Sequence, residues 1–236
     1  MPELNGDGIN RIFAYAHFRD DKEPTPGHSH ELVNNLTDPA WYDKMEEIPL
    51  QNEECNTLLK HFKRHVAQTP DKAFLGTRTP PTTEGGEFGP YQWITYKEVD
   101  HATEMLARGM RHYNLAPQIE GEGKMQRICG IWAKNNKEWM ITQLACMKVR
   151  TSVVGFYDAM GSSAVDFIIE QTELKTIVCT QEYLARVIEM KKEGLARHVE
   201  TVISMDGGVE AMKNEALLQE IQLLDLSELI VQMEDV

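Results

Sequence analysis

The sequence lacks the motifs that would indicate a self-contained nucleotide site or a membrane span. No GxxxxGK[ST] loop occurs in its 236 residues. The turn 133–137 opens the alternating half of the chain and has no glycine with which to wrap a pyrophosphate. The most apolar stretch, residues 151–157, is far shorter than the ~20 residues of a transmembrane helix. These absences argue against nucleotide binding by this chain alone and against a transmembrane segment.

Cysteine is scarce and shows no metal-binding or disulfide pattern. Cys55, Cys129, Cys146 and Cys179 are widely spaced, form no CxxC pair and lie in apolar surroundings. They are predicted to be reduced core thiols in a cytosol-like compartment. At the N-terminus, acidic residues precede the first basic one, which is not typical of a secretory signal or transit peptide. We therefore expect an intracellular protein, either cytoplasmic or peripherally associated with an organelle membrane.

Basic residues are outnumbered, and the formal net charge is -13. Such a charge argues against nucleic acid as a partner and against electrostatic adhesion to anionic lipid. Hydrophobic residues make up 42% and charged residues 26% of the chain, a composition typical of a globular protein rather than a disordered one.

The chain is predicted to have three segments. Residues 1–50 are broken by Pro24, Pro26, Pro39 and Pro49, which indicates an irregular arm with at most a helical turn near 38–45. We expect this arm to pack on other protein. Its candidate anchors are Phe13, Tyr15, Trp41 and Tyr42.

Residues 51–125 are predicted to form a helix-and-strand segment that packs on a sheet. Apolar residues on one face predict a helix over 53–67, followed by strands at 73–77 and 91–94 around an exposed loop. Thr95 and Glu98 have the spacing of a capping box at the start of a second helix. Residues 116–124, with two glycines, are interpreted as a polar linker.

Residues 126–236 alternate between short β-branched runs and amphipathic segments, which predicts an α/β fold. The predicted strands are 127–133, 151–156, 175–179, 201–205 and 221–224; the predicted helices are 137–148, 162–171, 180–192, 209–219 and a short one from Ser227. This alternation indicates a mostly parallel, doubly wound sheet of about five strands with helices on both faces.

Several residues carry a chemical interpretation beside a structural one. Gly161-Ser162-Ser163 follows a strand and could hold an anion, although helix capping by Ser162 or Ser163 is favoured. His61 and His65 share a helix face, but adjacent cations oppose a metal, and His28-Ser29-His30 has no ligand partners in sequence. Trp132 and Trp139 are interpreted as core anchors. No catalytic residue, substrate-binding residue or metal ligand can be assigned.

Five short segments, taken in order, resemble the N-terminal region of long-chain fatty acyl-CoA synthetases. They cover much of residues 50–236 and are specific as an ordered set: 74–78, 90–99, 130–139 with Asn135-Asn136-Lys137-Glu138-Trp139, 157–161 and 171–173. The family usually has Arg at the Asn136 position, Pro at Gly155 and Thr-Leu at Ala159-Met160. These departures indicate a diverged member.

The resemblance implies part of an adenylate-forming, AMP-binding fold. The family converts a fatty acid, ATP and coenzyme A into acyl-CoA, AMP and pyrophosphate through an acyl-adenylate, with Mg²⁺ and a Ser/Thr/Gly-rich loop on the phosphates. That loop and the family's later catalytic segments do not occur in this sequence. We therefore expect no ATP, Mg²⁺ or coenzyme A to be bound by this chain alone, and a structural role for Trp139, Tyr157 and Asp158.

Two functions remain open at this point. The chain is either the N-terminal part of an acid–thiol ligase whose ATP-binding half lies elsewhere, or a truncated, inactive subunit with a structural role in a larger assembly. In both cases we expect another polypeptide to cover its apolar surface.

Overall fold

The computed structural model describes residues 16–19, 21–35, 39, 56–83, 85–121 and 123–234. The chain divides into two units, residues 1–56 and residues 57–236. The predicted helical turn near 38–45 and the proposed anchors Phe13, Tyr15, Trp41 and Tyr42 lie outside the described residues, apart from Pro39.

The first unit contains a small antiparallel hairpin of β1 (Ala16–Phe18) and β2 (Leu32–Asn34). The prediction of an irregular arm is wrong here. Thr25 accepts a hydrogen bond from the His28 amide, and Gly27 adopts a φ of +86°, so a Pro-Gly turn reverses the chain. Strands of three residues are too short to show an alternating pattern in sequence.

The second unit holds the remaining elements. Its helices are α1 (Leu58–Gln68), α2 (Tyr96–His112), α3 (Lys137–Lys148), α4 (Ser162–Thr172), α5 (Gln181–Lys192), α6 (Val209–Leu218) and α7 (Leu226–Gln232). Its strands are β3 (Ala73–Arg78), β4 (Tyr91–Thr95), β5 (Gln118–Gly121), β6 (Lys124–Trp132), β7 (Ser152–Phe156), β8 (Thr176–Cys179), β9 (Thr201–Ser204) and β10 (Gln222–Asp225).

Strands β3 and β4 pair antiparallel and lead directly into α2. The predicted capping box is present: the Thr95 amide donates to Glu98 Oε2 at 2.7 Å, and the Glu98 amide donates to Thr95 Oγ1 at 3.3 Å. Two orphan amides at the helix start are thereby satisfied, which fixes the point where the hairpin ends.

The predicted linker 116–124 is wrong, because β5 and β6 form an antiparallel hairpin across it. Gly123 adopts a φ of +72° at the turn. The start of this segment is tied to the sheet, since the Ala116 amide donates to Thr176 Oγ1 at 3.0 Å and Arg127 donates to the Ala116 carbonyl at 2.9 Å. A single apolar residue, Ile119, gave too little alternation to reveal β5.

The sheet follows the predicted parallel arrangement. Strand β6 lies parallel to β7 and to β8, then β9 and β10 follow in parallel, so the parallel strands are ordered β7-β6-β8-β9-β10. Strand order therefore switches at β6: β7 pairs with one edge of β6, and the next strand in sequence, β8, pairs with its other edge. In open sheets of this kind, ligands bind outside the carboxyl ends of the strands.

Helices cover both faces of the sheet, as predicted. One core lies under α1, α2, α3 and α7 and includes Cys129, Ile131, Val178 and Ile203 from the strands. The other lies under α4, α5 and α6 and includes Ile128, Trp132, Ile177 and Val202. Successive strand residues alternate between these two cores, as the pleat requires.

Two helix starts differ from the predictions, and a third begins at the expected residue but without a side-chain hydrogen bond. Gly161 occupies the N-cap of α4 and no side chain caps it, so Ser162 and Ser163 lie within the helix. Thr180 is the N-cap of α5 but accepts no amide bond through its hydroxyl. Asp225, not Ser227, caps α7 by accepting the Ser227 and Glu228 amides at 2.9 and 3.2 Å. The described residues contain no helix long and apolar enough to cross a membrane.

Candidate functional site: a cleft at the carboxyl edge of the sheet

A cleft of about 600 Å³ opens where β6 and β7 end, beside the N-terminal half of α3. This volume lies within the ~300–1,000 Å³ range of small-molecule sites. Its wall is mainly apolar and aromatic. Its polar lining consists of two side-chain amides, one lysine and one aspartate. The lining residues are Ala133, Lys134, Asn135, Trp139, Gln143, Val153, Gly155, Phe156, Tyr157 and Asp158.

Trp139 forms one wall of this cleft because the start of α3 holds it there. Asn136 is the N-cap of α3, and its Oδ1 accepts the Trp139 amide at 2.7 Å. The Trp139 side chain is half-buried against the core under α3. The predicted core anchor is therefore confirmed only in part, since one side of the residue faces the cleft.

Tyr157 and Asp158 were expected to act structurally by fixing the turn that leaves β7, and in the structure only the backbone of Tyr157 does so. Both side chains are exposed, Tyr157 to 73%. The turn is instead closed by backbone, with the Met160 amide donating to the Tyr157 carbonyl at 3.1 Å. The two side chains are therefore free to contribute to the rim of the cleft.

Gly155 occupies the middle of β7, where glycine is disfavoured. It does not adopt a positive φ, and a Cβ at this position would meet one atom within 4 Å, Trp139 Cζ2 at 3.9 Å. Neither backbone conformation nor crowding therefore requires glycine. Gly130 on β6 differs, because a Cβ there would come within 2.7 Å of the Phe156 ring. The missing side chain at Gly155 leaves space open in the cleft.

A second cleft, of about 540 Å³, lies between the β3–β4 hairpin and the start of α3. Asn135 lines both clefts, so they meet at the β6–α3 turn. Arg78 borders the second cleft, where its guanidinium lies over the Phe88 ring and donates to the Gly89 carbonyl at 3.1 Å. Lys137 is the other cation of this lining and pairs with Glu138 at 2.6 Å.

Trp132 is fully buried, which confirms its prediction as a core anchor. Its ring stacks on Tyr183 with centroids 4.8 Å apart, and the Arg186 guanidinium lies 5.0 Å from its ring centre. Arg186 also donates to the Met160 carbonyl at 2.8 Å. This cluster joins α5 to the turn before α4 and belongs to the core under α4, α5 and α6.

The histidine motifs show ring contacts among protein groups. His61 and His65 rings lie 5.1 Å apart, and His65 stacks on Tyr96 at 5.6 Å. His30 contacts Phe18 at 6.0 Å in the first unit. Within the described ranges, no three His, Cys, Asp or Glu side chains are grouped to hold a metal ion.

Three cysteines are buried free thiols, as predicted, and Cys55 lies outside the described residues. A hydrogen bond with Cys146, together with burial, raises the pKa of Cys129 well above its ordinary value. Burial also raises the pKa of Cys179. The Cys129 and Cys179 thiols are therefore held in the protonated, unreactive form.

A charge network that sequence patterns did not reveal joins α1, α2 and α3. The Lys148 side chain is only 6% exposed, and its Nζ lies 3.0 Å from Asp100 and 2.9 Å from Glu104. Lys63 adds a bond of 2.8 Å to Asp100. Burial opposes ionisation of Asp100, but hydrogen bonds from Lys63 and Lys148 outweigh it and lower its pKa. The hydrogen bond from Lys148 likewise lowers the pKa of Glu104.

Comparison with known families decides the class of this fold. The family model described as AMP-binding enzyme matches residues 62–235. The chain belongs to the AMP-binding enzyme family. The match covers the residues of both clefts, of the whole parallel sheet and of the charge network.

Curated relatives of this member of the AMP-binding enzyme family are named as acyl-CoA ligases or synthetases. It is 29% identical over 154 residues to a protein named long-chain-fatty-acid–CoA ligase 5 from Mus musculus, covering 65% of this chain and 21% of that protein. It is 29% identical over 167 residues to long chain acyl-CoA synthetase 2 from Arabidopsis thaliana, covering 71% and 23% respectively. The chain thus spans less than a quarter of the length of these relatives.

Solved structures with the same fold are adenylation domains. One is the adenylation domain of a carboxylate reductase from Mycobacterium chelonae, with a TM-score of 0.63 at 15% identity over 78% of this chain and 30% of that chain. Another is the corresponding domain from Segniliparus rugosus, with a TM-score of 0.62 at 13% identity over 75% and 30%. The predicted α/β fold with a mostly parallel sheet is confirmed as part of the adenylate-forming fold.

Proposed function

We propose that this chain is the N-terminal part of a long-chain-fatty-acid–CoA ligase, which joins a fatty acid to coenzyme A through an acyl-adenylate at the expense of ATP. The observation that carries the proposal is the agreement of the family match over residues 62–235 with relatives whose printed names are acyl-CoA ligases. The order of sequence motifs around Asn136, Trp139 and Tyr157 supports the same class.

The chemistry of such a ligase divides between this chain and residues outside it. Attack of a carboxylate on the α-phosphate of ATP needs cationic groups and Mg²⁺ to stabilise the developing charge. The sequence has no Ser/Thr/Gly-rich phosphate loop, and neither cleft brings three metal-ligating side chains together among the described residues. We infer that this chain supplies the sheet on which the nucleotide-binding half is built, and that ATP, Mg²⁺ and coenzyme A bind with that half.

A protein partner, or a further segment of the same polypeptide, is the second part of this proposal. Leu217 and Leu218 at the end of α6 are 73% and 80% exposed, and Phe167 on α4 is 67% exposed. Exposed apolar side chains of this size favour burial against another protein surface. We expect at least the ~1,000 Å² of a specific interface to be buried there. Sedimentation of the natively purified protein as a monomer of 26.9 kDa would contradict this expectation.

The experiment that tests the function combines intact mass with fatty-acid-dependent exchange of pyrophosphate into ATP, both on the polypeptide purified from its natural source. The proposal predicts a mass above 26.9 kDa, or a tightly bound second chain, together with exchange that requires a fatty acid. A lone chain of that mass that shows no exchange would instead support the alternative, an inactive subunit with a structural role.

A further inference from the structure

We propose that a pocket of about 260 Å³ at the amino ends of β6 and β7 binds a phosphate group, either as the free ion or at the end of a small phosphomonoester. Arg127 precedes Ile128, where β6 begins to pair with β7, and Thr151 precedes Ser152, the partner of Ile128. The five paired positions of these strands place the pocket roughly 16 Å along the strands from the first cleft. The pocket is thus at the opposite edge of the sheet, and the proposal does not rest on the ligase function.

Side chains that donate hydrogen bonds line the pocket from four separate parts of the chain. They are Arg111 from the last turn of α2, Asn114 from the loop that follows it, Arg127 from β6 and Thr151 from the turn before β7. The rest of the lining is apolar, and it includes no acidic residue among those that the structure describes. A tetrahedral phosphate accepts hydrogen bonds in several directions, and arginine suits its geometry, so this donor set favours phosphate over a planar carboxylate. The volume is below the ~300–1,000 Å³ of sites for larger organic ligands, so a small anion fits and a nucleotide does not.

Neither arginine is neutralised by a carboxylate in the part of the chain that the structure describes. By contrast, Arg108 on α2 and Lys148 on α3 both form ion pairs, as is expected in a chain with 37 acidic and 24 basic residues. Arg111 donates to the Lys148 carbonyl at 3.2 Å, and Arg127 donates to the Ala116 carbonyl at 2.9 Å. These bonds hold the guanidiniums in place. Because a guanidinium carries several N–H donors, most of the donors and both positive charges remain for a ligand.

Thr151 adds a hydroxyl whose capacity for hydrogen bonding is unused. The residue is 6% exposed, and its Oγ1 has no hydrogen-bond partner among the described residues. Buried polar side chains without a partner are uncommon because each one costs stability. A phosphate oxygen in the pocket supplies the partner that the protein does not.

The test is a phosphate titration of the 236-residue protein with isotopically labelled arginine, followed by NMR at constant pH and ionic strength. The Nε–Hε resonances of Arg111 and Arg127, assigned by their absence from Arg111→Lys and Arg127→Lys, report occupancy of the pocket. The proposal predicts that both resonances shift to saturation with inorganic phosphate or with glycerol 3-phosphate, and that acetate and chloride move them little. Tighter binding of glycerol 3-phosphate identifies a phosphomonoester as the source of the group, and equal or weaker binding identifies the free ion.

Arg111→Gln should weaken phosphate binding, read at Arg127, by on the order of tenfold, because one charge-assisted donor is lost. Arg150→Gln is the matched control. Arg150 is exposed, precedes Thr151 and does not line the pocket, so the variant removes the same charge elsewhere and should bind phosphate like the unmodified protein.

Thr151→Val separates loss of binding from loss of folding. It should weaken phosphate binding about threefold, because it removes a donor to the ligand. Without phosphate it should melt no lower than the unmodified protein, since the hydroxyl it removes has no partner among the described residues.

Resonances that do not saturate, or that respond to acetate as strongly as to phosphate, would overturn the proposal. Equal weakening by Arg150→Gln and Arg111→Gln would also overturn it, because the effect would then belong to net charge rather than to the pocket. Unchanged phosphate affinity in a folded Arg111→Gln or Thr151→Val protein would have the same consequence.

Discussion

The Trp139 amide donates to Asn136 Oδ1 at 2.7 Å, and this bond couples the cap of α3 to the wall of the cleft. The cap satisfies an amide that α3 would otherwise leave without a partner at its first turn. It also fixes the rotation of the helix start, and so the direction from which the indole faces Gly155.

Replacing the cap should therefore destabilise the protein. Asn136→Ala is expected to lower the free energy of unfolding by about 1 kcal/mol, within the ~0.5–2 kcal/mol typical of lost N-caps, whereas Asn136→Asp should retain most of it. Asn135→Ala is the matched control, because Asn135 is exposed and does not cap the helix. Equal losses for Asn135→Ala and Asn136→Ala in urea unfolding would contradict the assignment.

Replacing Trp132 should lower the free energy of unfolding more than replacing Trp139. Trp132 is fully buried, and Trp132→Ala is expected to cost about 3–5 kcal/mol of unfolding free energy. Trp139 is half-buried, so Trp139→Ala is expected to cost about 2 kcal/mol because less apolar area returns to water. Denaturant unfolding of both variants measures the difference. A Trp139 loss as large as that of Trp132 would show that the indole does not face an open cleft.

The charge network around Lys148 should make stability depend on pH in the acid range. Lysines lower the pKa of Asp100, so its ion pairs stabilise the fold above the unfolded pKa of about 4, and this contribution is lost as pH falls through the folded value. Asp100→Asn is expected to cost about 1–3 kcal/mol at pH 7, with the difference from the unmodified protein shrinking below about pH 4.

Asp71→Asn is the control for that experiment. Its partner Lys97 and Asp71 itself are 60% and 75% exposed, so loss of this pair should leave the unfolding free energy nearly unchanged. A cost for Asp100→Asn that stays constant down to pH 2, or one equal to that of Asp71→Asn, would show that the network contributes no specific ion pairing.

The parallel sheet could be predicted from sequence because its strands carry a strong, repeated signal. Runs such as 176–179 and 201–204 are rich in β-branched residues and buried on both faces, and each is followed by a helix of recognisable period. The β1–β2 and β5–β6 hairpins were not predicted, because β1 has three residues and β5 has one clear apolar residue, Ile119. Segments so short carry no reliable period.

The cleft was not predicted because its features are individually ordinary in sequence. Gly155 stands out only as a departure from the resembled family, and Trp139 only as an apolar residue at helical spacing. Their juxtaposition depends on the packing of α3 beside β7, which no local pattern encodes. Lys148 similarly has the usual character of a basic residue in a last helical turn, and its burial follows from the packing of α1 and α2 around it.

The 236-residue chain by itself should not bind ATP, because its sequence contains no phosphate loop. Titration calorimetry with ATP and Mg²⁺ is expected to give no saturable heat up to millimolar nucleotide. Micromolar affinity would place a nucleotide site within the two clefts described here and would require the division of labour between this chain and the remaining half to be revised.

The most direct test of the account is capture of the acyl-adenylate. The natively purified protein, with whatever chain accompanies it, is incubated with ATP, Mg²⁺, palmitate and hydroxylamine, and the product is examined by mass spectrometry. Membership of a long-chain-fatty-acid–CoA ligase predicts palmitoyl hydroxamate that forms only when ATP is present. Absence of the hydroxamate from a folded preparation, while a known ligase yields it under the same conditions, would contradict the account.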